Sequence, residues 1–318
     1  IGAAKENIPE LPMLEKLKGC CGVKIFMGSS TGDLLVEDDE SLKKILANIN
    51  RRFAVHSEDE YRLRDRKKIL NEANVSVNDH PNWRDDETSI SSTKRLLKIA
   101  REVGKSNLHI LHISTAEEIE LIGKNKDLCT CEVTPQHLFF KAPECYDTLG
   151  TLVQMNPPIR NEKHNNGLWS GVNKRIVDVI GSDHAPHTID EKNKDYPSSP
   201  SGMTGVQTLL PILLHFVSQQ KLKLEDVVRL TSVNPCKIYK IKNKGSIKID
   251  YDADLTIIDL NKEFEISNDW IASKSKWTPY NNIKIKGMPI FTIVNGKVVM
   301  KENEIIEDGS GEMVEFSY

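Results

Sequence analysis

Four times in this chain an apolar, β-type run ends on residues able to hold a metal or a substrate, and each time a helix-like segment follows. Gly22 to Met27 carries Lys24 inside the run, Phe53 to Val55 opens into His56, and Leu108 to Ile113 includes His109 and His112. Arg175 to Ile180 delivers the turn Gly181-Ser182-Asp183-His184-Ala185-Pro186-His187. Strand–helix alternation predicts a parallel sheet covered by helices, and functional side chains gathered at strand C-termini are how a β/α barrel builds its active site.

Each run has a bland alternative when taken singly. One Asp-His-x-x-His turn is as readily a surface turn as a site, although an acid at a strand end can both ligate a metal and move a proton. Lys24 either snorkels from a strand end or is carboxylated by carbon dioxide, which would turn it into an anionic bridging ligand. Alternation along a strand sends His109 and His112 to opposite faces, so only one of them can serve a given site. Thr115-Ala116-Glu117-Glu118 reads as a helix start with a capping signal. Repetition of the same pattern makes the bland readings progressively weaker.

Read in chain order, the motifs Val23 to Gly32, Val55 to Asp59, His109 to Thr115, Glu132-Val133-Thr134-Pro135-Gln136-His137-Leu138, Met155-Asn156-Pro157-Pro158-Ile159-Arg160 and Gly181 to His187 resemble those of the dihydroorotases in the amidohydrolase superfamily. That resemblance implies a (β/α)8 TIM-type barrel of the metal-dependent hydrolase kind, with part of a small β-sandwich. It implies two zinc ions in a complete enzyme: Lys24, carboxylated, bridging them, His56 and His112 on one, and Asp183 on the other as general base. Asn156 and His187 would bind the substrate, dihydroorotate or carbamoyl aspartate, with backbone at Ser201 and Gly202 closing over the ring. A homodimer is an assembly the resemblance allows. Gln136 and Gln154 stand where the family pattern has a histidine and a lysine.

The family also opens its barrel with His-x-His, which this sequence lacks, its first histidine being His56. Ile1-Gly2-Ala3-Ala4 reads as the tail of the third barrel strand, so the expectation is a carboxy-terminal piece of a longer enzyme, with strands 1 and 2 absent. The expected division is a partial barrel over 1–240 and carboxy-terminal sandwich strands over 241–318. Within the latter, Gly245 to Ile249, Ala253 to Leu260 and Ile290 to Val299 read as strands, and Asn295-Gly296 as a hairpin turn. Glu191 to Ser201 reads as a lid loop, and Gly202 to Gln219 as mainly helix. Trp270, Trp277 and Tyr280 are expected to pack the junction between the two units.

With 318 residues, 38% hydrophobic and 28% charged, the chain can bury one large core, and its net charge of −3 carries no nucleic-acid footprint. The apolar run Val206 to Val217 is too short to cross a bilayer. The six cysteines lack paired metal spacing and are expected to be reduced, in a cytoplasmic setting. Two alternatives stand beside the main reading: an allantoinase- or hydantoinase-like enzyme, and a catalytically silent homologue.

Overall fold

A computed structural model describes residues 1–30, 34–306 and 311–318. Thr31 and Gly32, the last residues of the first motif, lie outside the described residues. Strands β1 (Gly22–Phe26), β2 (Arg52–His56), β3 (Leu108–Ile110), β4 (Cys129–Val133) and β5 (Val179–Ile180) form one parallel sheet in chain order. Each crossover contains a helix: Asp39–Asn48, Asp86–Glu102, Ala116–Gly123 and Glu162–Asn173. Their starts follow from the sequence. Asp38 and Asp85 accept the backbone N–H groups of Ser41 and Thr88, and Thr115 and Glu118 close a reciprocal capping box.

Pairing register places Lys24, Ala54, His109 and Thr130 abreast. Residues in register on parallel strands share a face, so this row marks the inner side of the sheet. The alternate residues, including Val23, Ile25, Phe53, Val55, Leu108 and Ile110, are fully buried beneath the helices. Each such side chain contributes about 1.5–3 kcal/mol by leaving water. Gly2 pairs in parallel with Lys24, and Ala3 N–H donates to Lys24 O at 2.8 Å. The first residues therefore run alongside β1, as a strand tail would.

A second, antiparallel sheet has the order β6 (Leu255–Glu265), β7 (Lys284–Val294), β8 (Lys297–Lys301), β9 (Glu304–Ile305). Asn295 and Gly296, with φ of 49° and 79°, make the tight turn between β7 and β8. Gly287 permits the sheet to lie on the helix Leu209–Ser218: a Cβ there would stand 2.7 Å from Leu214 Cβ. Trp277 and Tyr280 are buried, Tyr280 against Phe139 and Phe140, and Trp270 packs on Phe264.

Several sequence expectations are corrected. Gly245 to Ile249 forms no strand, and Ile247 and Ile249 are about as exposed as side chains become, at 90% and 91%. With no partner to bury it, an apolar alternation does not by itself make a strand. Helix begins at Leu209, not near Gly202, because the preceding residues are committed to loop contacts described below. Helix Leu224–Val228 passes through a π-turn, Arg229–Val233, into Asn234–Ile238. Pro235 follows that π-turn, in the second position of the last segment. All six cysteines are unpaired, with Cys129 and Cys131 buried. No helix among the described residues is long and apolar enough to cross a membrane.

Candidate active site

The strand ends bring together Lys24, His56, His112 and Asp183. His56 closes β2 opposite Phe26 in register. His56 Nδ1 and His112 Nε2 approach to 3.1 Å, and both rings are buried. Strand β3 ends at Ile110, so the alternation expected to oppose His109 and His112 does not reach the second of them. His112 instead adopts φ of 35°, which swings its ring to His56. His109 also serves the inner side, through Glu132 Oε2 at 3.1 Å and Thr130 Oγ1 at 2.8 Å. Asp183, at φ of 42°, is a second left-handed residue at a strand end. Such conformations cost about 1–3 kcal/mol each, which surrounding structure must offset.

Behind His56 stands a buried ionic chain that the sequence reading did not single out. Glu58 Oε2 accepts from His56 Nε2 at 2.9 Å and from Arg84 Nη2 at 2.6 Å, with Arg84 Nε 3.1 Å from Glu58 Oε1. Burial opposes the Glu58 charge, yet Arg84 and His56 hold its carboxyl well below the usual range. The ionised carboxylate takes the Nε2 proton, which leaves His56 Nδ1, the nitrogen facing His112, bare. The signal was present in Val55-His56-Ser57-Glu58, but Arg84 lies far along the chain and nothing local pairs it with an acid.

Electrostatics tie the remaining groups together. Burial lowers Lys24 to about 8, against the opposing pull of Asp183 and Glu132. Burial lifts Asp183 to about 6, with Lys24 resisting and Glu132 assisting. Burial also lowers His56 and His112, and Lys24 adds to both effects. Glu132, named in a motif but given no role there, is thus the acid beneath the site; a Cβ on Gly181 would come within 2.7 Å of its carboxylate.

Among the described residues, no three histidine, cysteine or acidic side chains sit together as a metal cage. The donor set fits a metal nonetheless. Two nitrogens on one tetrahedral zinc, each at about 2.0–2.1 Å, lie about 3.3 Å apart, close to the observed 3.1 Å between His56 and His112. Lys24, near enough to add to the lowering of both imidazoles, would join that donor set only with its amine carboxylated. His112 Nδ1, the nitrogen turned away from His56, is buried without a hydrogen-bond partner.

Of the residues expected to contact the substrate, His187 donates through Nε2 to Ser201 O at 3.1 Å, and Trp277 Nε1 donates to His187 O at 2.8 Å. Gly202, at φ of 143°, approaches Ala185 so closely that a Cβ would meet its carbonyl oxygen at 2.4 Å. Its N–H donates to Gln154 O at 2.9 Å. Asn156 lies across from Ser30, with Nδ2 3.4 Å from Oγ. The stretch expected to be a lid is instead pinned. Lys192 is fully buried, its ammonium on Pro200 O at 2.8 Å and Gln154 O at 3.3 Å, and burial lowers it to about 7. Ser199 and Thr151 hydroxyls donate to Lys192 O. Tyr196 is also buried.

Histidines, an acid and a lysine gathered at the strand ends of a helix-clad parallel sheet are how hydrolases of the metal-dependent barrel class arrange their active sites. Residues 39–299 match the amidohydrolase family. The chain belongs to that family, and within it to the dihydroorotases. It is 34% identical to the dihydroorotase of Methanosarcina mazei, over 99% of this chain and 71% of that one. With the dihydroorotase of Pyrococcus furiosus the identity is 36%, over 92% of this chain and 64% of the relative. Among solved structures, an L-hydantoinase from Arthrobacter aurescens superimposes with a TM-score of 0.93 at 26% identity, covering 99% of this chain and 72% of the other. The chain is thus a cyclic-amide hydrolase of the amidohydrolase fold, acting on a small molecule.

Proposed function

We propose that the chain catalyses reversible hydrolysis of the ring amide of dihydroorotate to carbamoyl aspartate, in cytoplasmic pyrimidine biosynthesis, with zinc as its metal. The observation carrying this reading is the convergence of Lys24, His56, His112 and Asp183 at the strand ends, in a chain whose dihydroorotase relatives run along nearly all of its length. A net charge of −3 supports a small-molecule substrate over a nucleic acid. We also propose a division into a barrel unit, 1–240, and a β unit, 241–318, on the strength of the two separate sheets.

In this reading Lys24, carboxylated, stands with His56 and His112 around one zinc. Its lowered pKa supports that modification, since carbon dioxide adds only to a neutral amine. When bound, zinc makes water acidic enough to supply a nucleophile near neutral pH and polarises a carbonyl oxygen. Asp183 accepts a proton from the attacking water and returns it to the departing ring nitrogen; its carboxyl, lifted to about 6, is suited to both halves of that exchange. Asn156, His187 and the backbone of Ser201 and Gly202 bind the substrate.

The deciding experiment compares turnover of dihydroorotate with turnover of hydantoin. Preference for dihydroorotate is expected; preference for hydantoin would replace the substrate while leaving the chemistry. Atomic emission on the 318-residue chain, stripped and reloaded, should find one tightly held zinc, and two would reveal ligands beyond those assigned. His187→Ala should weaken dihydroorotate binding by about ten- to a hundredfold, the worth of a charge-assisted hydrogen bond of roughly 1.5–3 kcal/mol. Zinc content should not change; its loss would make His187 a ligand.

A further inference from the structure

One buried histidine outside the metal group controls what Asn156 can offer a substrate, an inference that rests on the reading of Asn156 as a substrate contact. His80 begins the short helix His80–Trp83 and is fully buried. Its Nε2 lies 3.0 Å from Met155 O and 3.1 Å from Asn156 Oδ1. A carbonyl oxygen only accepts, so the contact with Met155 O requires the proton to be on Nε2. Burial lowers the ring to about 3, with Arg84 adding to the effect, so His80 is neutral near pH 7 and its Nδ1 is bare. Tyr196 OH, 3.3 Å away, donates to that nitrogen.

The Asn156 amide is then fixed. Turned the other way, its NH2 would face the Nε2–H of His80, donor against donor. The Met155 carbonyl therefore settles the amide orientation independently of how the amide is drawn. With Oδ1 spent on His80, Nδ2 points to the opposite side, where Ser30 Oγ stands at 3.4 Å.

We propose that His80 is a positioning residue that makes Asn156 a hydrogen-bond donor toward an acceptor oxygen of the substrate, a carboxylate or ring carbonyl, and that Tyr196 holds His80 in the required tautomer. The same three side chains join the segment around Tyr196 to the strand-end loop at Met155 and Asn156. Segment and substrate contact are thereby coupled through one imidazole.

Two measurements test this. Nitrogen NMR on 15N-histidine-labelled protein should show His80 neutral near pH 7 with its proton on Nε2; a proton on Nδ1, or a charged ring, would overturn the proposal whatever the protein turns over. Calorimetric titration with dihydroorotate supplies the second. His80→Leu should weaken binding about tenfold, the worth of one hydrogen bond to a buried polar partner, and His80→Gln, which can donate from the same place, should recover most of it. Tyr196→Phe should cost roughly two- to threefold. In an Asn156→Ala background none of these changes should matter, whereas equal losses with and without Asn156 would reduce His80 to packing and overturn the assignment. Should His80→Leu fail to fold, Tyr196→Phe in the two backgrounds gives the same comparison. Absence of dihydroorotate binding by the unaltered chain would refute the proposed substrate, and the tautomer measurement would then decide the role of His80.

Discussion

Asp183→Asn should abolish nearly all turnover in both directions, by about two to four orders of magnitude, while the thermal midpoint stays within the error of the parent. Asparagine keeps the shape and an oxygen, but it has no basic site for the proton that must travel from water to the ring nitrogen. It also suits the backbone: Asp183 is left-handed at φ of 42°, and asparagine tolerates that region better than other residues. Strain is therefore not exchanged for chemistry, and a change in rate can be read as chemistry. Steady-state rates on both substrates, with a melting curve for each protein, check the result. Substantial activity in a folded variant would remove Asp183 from the proton path.

Arg84→Met should be the most destabilising single change near the site, at about 3–5 kcal/mol near pH 7, because it leaves Glu58 as a buried charge without its cation. The pH dependence separates this cause from lost packing. In the parent, the folded-state pKa of Glu58 lies below its ordinary value of 4.5. Its contribution is complete above about pH 4.5 and is lost as pH falls. Without Arg84, burial dominates and the folded pKa rises above the ordinary value, so the variant is penalised increasingly as pH climbs from about 4.5 toward 7. Urea unfolding should show a wide gap between the two proteins near pH 7 that narrows near pH 4. A gap of constant size would assign the loss to packing. Zinc affinity should fall about ten- to a hundredfold as well, since Glu58 orients His56.

What the sequence disclosed follows from the range of the interactions involved. The helix start at Thr115 and the Asn295-Gly296 turn are written in a few adjacent residues, and they stand where local chemistry places them. The roles of Arg84, Glu132, His80, Tyr196 and Lys192 depend on partners brought near by the fold, and no spacing rule connects Arg84 to Glu58 or Tyr196 to His80. His112 shows where the alternation argument runs out. Period-two alternation separates it from His109, but the strand stops at Ile110 and a left-handed turn reorients the ring. Lys192 shows the converse: in a charged, Pro- and Ser-rich stretch it looks solvated, yet it is wholly buried and holds the stretch down by its ammonium.

That anchoring changes where the thermodynamic cost of recognition falls. A segment that must order itself around each substrate surrenders conformational entropy at every binding event, roughly 1–2 kcal/mol per residue fixed. Here Lys192 and Tyr196 are already seated, and the Ser201 carbonyl already holds His187. The ordering cost is met once, when the chain folds, and does not recur with each ring that enters. With the substrate contacts proposed above, selectivity among cyclic amides would depend on the fit of a preformed rim.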